Sequence, residues 1–403
     1  MAEQLGAAIR ERFACKSFLP DPVPDETLRE ILKLTQRAPT GFNTQAYVCI
    51  VLRSAEDREK LAGAMMDANA VKVKGAPVAV VFAADCEPSK NVPRMQQLNR
   101  DNGAPDAFVN QIPPLVELFS GEHDPNVSTE AWAYKQTTFA AATFLYAAQV
   151  HGLATCPMEG LDQAKVKQAL DIPDRYSIPV VVALGHANPE AKPAKPSVRF
   201  PPSEIFFDGK FGQSLEKFVL RGGVSNCLPA DSTALLRQGT PAAAQSRLLS
   251  SAQKKLGAAI EERYACKAFL PDAVPDKTLQ EILKLTLRAP TGFNTQPYAC
   301  VLVREQKDRE KLAEAMMDSN ARKVKEAPVV AVFAADCEPS KRVPRLQQLA
   351  HDNGAPVDFV SNMPHVVRLF SGEGVVASGL RAAIATAVSP LQPAPSNEHI
   401  PET

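Results

Sequence analysis

The feature that most constrains this chain is a long internal duplication. The stretch "LGAAIRERFACKSFLPDPVPDETLREILKLTQRAPTGFNTQAY" begins at Leu5 and returns as "LGAAIEERYACKAFLPDAVPDKTLQEILKLTLRAPTGFNTQPY" at Leu256. The offset of 251 holds without a gap through "LFSGE", which ends at Glu122 and Glu373. Solenoid repeats have periods of ~20–50 residues, so this one marks a duplicated folding unit. The copies then part. The first continues through "STEAWAYKQTTFAAATFLYAAQVHGLATCPMEGLDQAKVKQALDIPDRYSIPVVVALGHA", whereas the second has only "GVVASGLRAAIATAVSPLQPAPSNEHIPET". Residues 1–220 are therefore expected to form one complete domain, with 221–252 a linker. Residues 253–374 then repeat its front half, and 375–403, rich in Ala, Ser and Pro, read as a disordered tail.

In the complete copy, helices are expected over Gln4–Ala14 and after a cap at Asp25, where Leu28, Ile31, Leu32 and Thr35 follow helical spacing. Ser54 and Asp57 have capping-box spacing, and Asp162 caps a helix to Leu170. Ala46–Leu52, Ala76–Asp85 and Ile178–Gly185 are apolar and β-branched enough for buried strands. Thr129–Val150 is a long helix, apolar around most of its circumference, and so belongs in a core or a subunit interface. Helices segregated around a few strands give an α+β fold, a three-layer sandwich with a central sheet flanked by helices and followed by a partial duplicate.

Lys and Arg number 45, as do Asp and Glu, so the chain is no general polyanion binder and no nucleic-acid partner is expected. No apolar run approaches the ~20 residues that span a bilayer, and the charged opening segment predicts no signal peptide. The eight Cys are scattered without CxxC pairs, and six are repeat equivalents. They read as free thiols of a reducing, cytoplasmic setting.

The motifs GxGxxG, GxxxxGK[ST], HExxH and GxSxG are absent and the six His are scattered, which leaves no metal site and no hydrolytic machinery in view. Cys15 beside Lys16 reads as packing rather than as a nucleophile. What remains is a set of cations and amides with no base–nucleophile pair: Arg12, Lys16, Asn43, Asn69, Lys72 and Arg199. Such a set binds an anion and polarises a heterocycle, leaving the reactive chemistry to the ligand. Each member also has a plain alternative. Arg12 and Lys16 could be a solvated helix end, Lys72 an exposed loop and Arg199 part of a tail.

The segments "RERFACKSFLPDPVP", "APTGFNTQAYVCIVL", "WAYKQ…HGLATCPMEGLD", "IPVVVALGHA" and "KPSVRFPPSE" resemble, in order and spacing, the nitroreductase family of FMN-dependent, NAD(P)H-oxidising enzymes. The resemblance covers nearly all of residues 1–220. It implies an intertwined homodimer through those residues, with FMN at each subunit interface and NADPH or NADH as electron donor. On it, Arg12 and Arg199 pair with the FMN phosphate, where a bidentate guanidinium suits a dianion. Lys16 lies beside the flavin pyrimidine edge, and Asn69 and Lys72 bind the same edge. Thr40, Gly41 and Asn43 reach the flavin of the opposite subunit, and Gln136 of "WAYKQ" joins the cofactor-binding set. Pro157 faces the ring, the backbone N–H of Glu159 reaches N5, and Gly160 keeps that turn tight. Three positions depart from the pattern: Phe13 and Ala14 stand where relatives carry polar residues, and Ser197 replaces a lysine, with Lys195 nearby.

The second copy keeps Arg263, Lys267, Thr291, Asn294, Asn320 and Lys323 but lacks the long helix, "PMEG" and the terminal arginine. No independent catalysis is expected of it. Whether it packs on the first copy, stays partly folded or reflects a faulty gene prediction is open. The resemblance implies a ping-pong oxidoreductase acting on nitroaromatic, quinone or related small acceptors. A lid at Phe108–Phe119 would set acceptor choice. The alternatives are a non-catalytic flavin-binding or scaffold protein and a family relative such as a reductive dehalogenase.

Overall fold

The computed structural model describes residues 2–124, 128–191, 197–215 and 257–371, so the expected linker and tail, and Lys195, lie outside the described residues. In the first copy, strands β1 (Tyr47–Leu52), β2 (Val78–Asp85), β3 (Ala154–Met158) and β4 (Tyr176–Gly185) form an antiparallel sheet in the order β1-β2-β4-β3. Alternation along the central strands builds two cores. Ala79, Val81, Ala83, Val181 and Ala183 face a layer holding Leu61 of α3 (Ala55–Ala62), Val73 of α4 (Asp67–Gly75) and Val166 of α9 (Gln163–Ala169). Val78, Val80, Phe82, Val182 and Leu184 face Ile31 and Leu34 of α2 (Asp25–Thr35), with Phe144, Leu145 and Ala148 of α8 (Thr129–Val150). Period-two side-chain alternation thus yields helix, sheet and helix layers, an α+β sandwich.

The capped helices form as expected: Ser54 accepts from Asp57 N and Asp162 from Lys165 N. Four readings need correction. Helix α1 (Ala2–Glu11) stops before Ala14, because the chain turns extended there to run beside β3. Asp25 is the first helical residue rather than the cap: Pro24 holds the cap position, and the Asp25 carboxylate pairs with Arg53 at 2.6 Å. β1 is half-exposed rather than buried, since it is an edge strand. Strand β3 was not expected, because Pro157 discourages a strand; Pro is tolerated here because β3 is the opposite edge.

Beyond β4 the first copy sends an arm into the second. Residues 197–215 carry α10 (Pro202–Ile205) and β5 (Phe206–Asp208), and β5 pairs in parallel with β6 (Tyr298–Val303), which pairs antiparallel with β7 (Val330–Ala335). Val198, Phe200, Ile205, Phe206 and Leu215 share one core with Leu279 and Leu283 of α11 (Asp276–Thr286), Leu346 of α14 (Val343–Asp352), and Met363 and Val367 of α15 (Val357–Ser371). The arm is pinned electrostatically as well: Arg304 is bidentate to Asp208, and Arg342 stacks over Phe200 at 4.3 Å while donating to Glu204 O. The half-unit therefore folds with borrowed residues. It still bares one face, and Phe333 on β7 is 59% exposed.

The two copies also embrace reciprocally. α1 packs on α11, while Ile260, in the matching helical stretch 257–262, packs on the Leu28, Ile31 and Leu34 cluster of α2. Arg37 donates to Glu261 O and Arg263 to Arg37 O. Equivalent elements touching each other in both directions are the mark of a two-fold interface, here within one chain.

Candidate cofactor site

The site begins where the extended segment after α1 lies along β3. Cys15 N donates to Thr155 O at 2.9 Å and Ala14 bridges Thr155, which sets Lys16 Nζ 3.9 Å from Cys156 Sγ. From α4, Asn69 donates to Gly160 O at 3.1 Å and accepts from Lys72 Nζ at 2.8 Å. Burial lowers the Lys72 ammonium below its ordinary value, and Lys16 pushes the same way. Gly160 is needed for this approach: a Cβ there would sit 2.7 Å from Met66 Sδ and 2.8 Å from Asn69 Nδ2. Lys16, Asn69, Lys72, Pro157, Glu159 and Gly160 are thus brought to one end of β3.

Arginines gather at the other end. Arg12 is 5% exposed, and its Nε and Nη1 are buried without a hydrogen-bond partner. Burial depresses its guanidinium, and the neighbouring Arg288 adds repulsion. Arg199, on the arm, is lowered to about 10 by burial first and then by Arg288 and Arg12. Tyr146 of α8 sits among all three; burial raises its phenol while the arginines pull it down. Among the described residues no carboxylate pairs with Arg12, Arg199 or Arg288. Three crowded guanidiniums with no counter-ion, two donors of one of them unmatched, form a receptor for a multivalent anion, since each unmet buried donor costs ~1–3 kcal/mol.

The two copies of "APTGFNTQ" take the same shape and meet different partners. Phe42, Asn43 and Gln45 have φ of 51°, 58° and 46°, and Phe293, Asn294 and Gln296 have 49°, 60° and 47°. In both, the Thr hydroxyl accepts from the Gln N–H at 3.0 Å. The first turn packs on its own copy: Gly41 N donates to Gln136 Oε1 at 2.7 Å, and Phe42 stacks on Phe119 at 5.3 Å. The second faces the site. Asn294 Oδ1 accepts from Arg199 Nη1, its Nδ2 donates to Val198 O at 2.6 Å, and Gln296 Oε1 accepts from Phe200 N at 3.0 Å. Arg199 Nε donates to Leu287 O at 2.6 Å. A Cβ on Gly292 would collide with the Glu159 carboxylate. Glu159 is exposed, and desolvation by the surrounding protein raises its carboxyl above the ordinary value.

The remaining expected residues fall outside these clusters. Gln136 is buried and anchors Gly41, and Thr40 and Asn43 belong to that same turn. Phe13 is exposed, and Ala14 bridges Thr155 through its backbone and packs its methyl against the core. The 108–119 stretch is two helices, α6 (Asp106–Val109) and α7 (Ile112–Ser120), whose Ile112 and Val116 pack with Val92, Met95 and Phe42 of the first copy. Of the retained second-copy cations, Arg263 is exposed and Lys323 donates only to Asn320. Sequence reasoning missed Arg288 and Tyr146. Arg288 immediately precedes the second "APTGFNTQ", a place that was legible, whereas Tyr146 is one aromatic in an apolar helix. Among the described residues there is no cluster fit for a metal ion, no helix long and apolar enough to cross a membrane, and no disulfide among the seven cysteines.

The profile of the nitroreductase family matches residues 9–186 and again 260–377, more than half of the chain. The chain belongs to the nitroreductase family. The double match fits one full copy and a truncated second one. A Thermus thermophilus protein named NADH dehydrogenase is 28% identical over 188 residues, 47% of this chain and 88% of its own length. A Streptomyces griseus protein named for NADH dehydrogenase or NAD(P)H nitroreductase activity is 31% identical over 193 residues, 47% of this chain and 89% of its own. Among solved structures, a nitroreductase family protein of Streptococcus pneumoniae is similar over 49% of this chain and 96% of its own, at 21% identity and a TM-score of 0.44. An Exiguobacterium sibiricum protein described as a nitroreductase in complex with FMN aligns over 48% of this chain and 92% of its own, at 19% identity and a TM-score of 0.43. Membership of this family makes the chain an oxidoreductase.

Proposed function

We propose that this chain is an FMN-dependent NAD(P)H oxidoreductase that reduces nitroaromatic, quinone or related small acceptors in a ping-pong cycle. The observation that carries the reading is the carboxylate-free cluster of Arg12, Arg199 and Arg288, with Arg12 Nε and Nη1 buried and unmatched. A phosphate monoester dianion supplies the missing acceptors, so the residues fit flavin mononucleotide better than unphosphorylated flavin. When bound, FMN supplies the two-electron chemistry that links a nicotinamide donor to an acceptor. The chain's part is to bind and tune. The three arginines hold the phosphate, and Lys16 and Lys72 at the other end of β3 supply the positive potential that ring reduction requires. Asn69 and the Glu159–Gly160 backbone offer amides along the same edge, and Gly160 keeps that wall thin.

One observation favours a second reading, a flavin-binding protein without turnover: the Gly292 turn lies hard against the Glu159 carboxylate, beside the loop expected to face the ring. One experiment decides between them. The purified protein is expected to be yellow and to lose its flavin absorbance when NADPH or NADH is added without oxygen. Colour that persists supports the binding-protein reading, and a protein that stays colourless after FMN addition overturns both.

A further inference from the structure

We infer that the truncated second repeat is a built-in partner subunit, whose Arg288 and Asn294 complete in cis a single cofactor site per chain. The inference rests on the flavin reading above and deepens it. Three observations carry it. The contacts between the copies are reciprocal, α1 on α11 and 257–262 on α2, so the second copy occupies the place of a two-fold partner. The arm of the first copy adds β5 to the sheet of the second and buries Phe206 completely, an exchange of strands that ties the halves into one unit. And the two octapeptides, alike in backbone, differ in what they meet: only the second reaches the Arg199 guanidinium and the Glu159 turn.

The asymmetry follows from what the second copy lost. A mirror-image site would need that copy's own counterpart of α8, and residues 380–401, which hold its place at the same offset, read LRAAIATAVSPLQPAPSNEHIP and do not repeat it. Its Arg263, equivalent to Arg12, is accordingly exposed and spends its guanidinium on Arg37 O. What the second copy retains is the half that serves its neighbour: the turn at 291–294, Arg288 in front of it, and α15, which touches that turn. Loss of the α8 counterpart removes one site and leaves the other whole. Each chain then needs no second chain for its cofactor.

The test uses the full-length protein. The expected result is a monomer in sedimentation that retains one FMN per chain. Arg288→Gln should weaken FMN binding about tenfold, the loss of a charge-assisted hydrogen bond, while its repeat equivalent Arg37→Gln changes it less than about twofold. Asn294→Gly is the second probe. It removes the side chain yet tolerates the positive φ, so a loss of affinity with unchanged secondary structure reports the amide and not a collapsed turn. If FMN is retained but Arg37→Gln weakens it as much as Arg288→Gln, or if flavin is held only by dimers joined through residues 1–220, this inference fails alone. If the chain retains no FMN at all, the flavin reading fails and takes the inference with it.

Discussion

At the scale of single residues the site is governed by arginines that have no counter-ion. Arg199 and Arg263 come from different copies, yet one is clamped between Leu287 O and Asn294 while the other is exposed and donates to Arg37 O, away from the site. Arg199→Ala should weaken FMN retention at least about tenfold and Arg263→Ala hardly at all, as read by flavin titration. Equal losses would place a working site in the second copy. The protonation of Arg199 adds a pH dependence with a definite sign. Its folded pKa is lowered to about 10 from 12.5 by burial and by its arginine neighbours, so the unliganded protein loses that charge as pH rises through 10. A phosphate binds the charged form, and therefore FMN affinity should fall more steeply across that window than riboflavin affinity, which loses only the Lys72 charge that both flavins share. Parallel titrations of the two flavins check it.

Elements decide whether these residues meet. Helix caps, the long α8 and the strands β2 and β4 were legible because each rests on local chemistry: a Ser or Asp before a helical run, or an unbroken apolar stretch. The segment after Arg12 was not, since its extended course is imposed by pairing with Thr155, 140 residues away from Cys15. β5 was equally hidden. Three residues, Phe-Phe-Asp, carry no strand signal of their own and become a strand only because β6 offers its edge. Phe206 is the hinge of that arrangement, fully buried between the arm and α11, β6 and α14. Phe206→Ala should cost ~3–5 kcal/mol. It should free the arm, exposing residues 257–371 to limited proteolysis well before the first-copy sheet. Unchanged cleavage kinetics would mean that the shared core is not what holds the second copy.

For the molecule as a whole, the shared core makes a covalent linker dispensable. A chain cut at one engineered protease site between residues 215 and 257 should elute as a single species of intact size, because the arm, β6 and the reciprocal helix contacts hold the halves together. Two separate peaks on gel filtration would contradict this. The same chain can therefore be one folding unit although its sequence reads as one and a half.

The sequence by itself determined the duplication, the layer-forming strands, the family and the shape of both octapeptides. Asn in the left-handed region and a Thr hydroxyl bonding the Gln N–H are local preferences, repeated wherever the letters recur. Only the tertiary structure decided which octapeptide meets Arg199 and the Glu159 turn. Identical strings have identical local energies, so the choice falls to long-range contacts that differ between the copies: Gln136 and Phe119 draw the first inward, while Arg199, Phe200 and Glu159 surround the second.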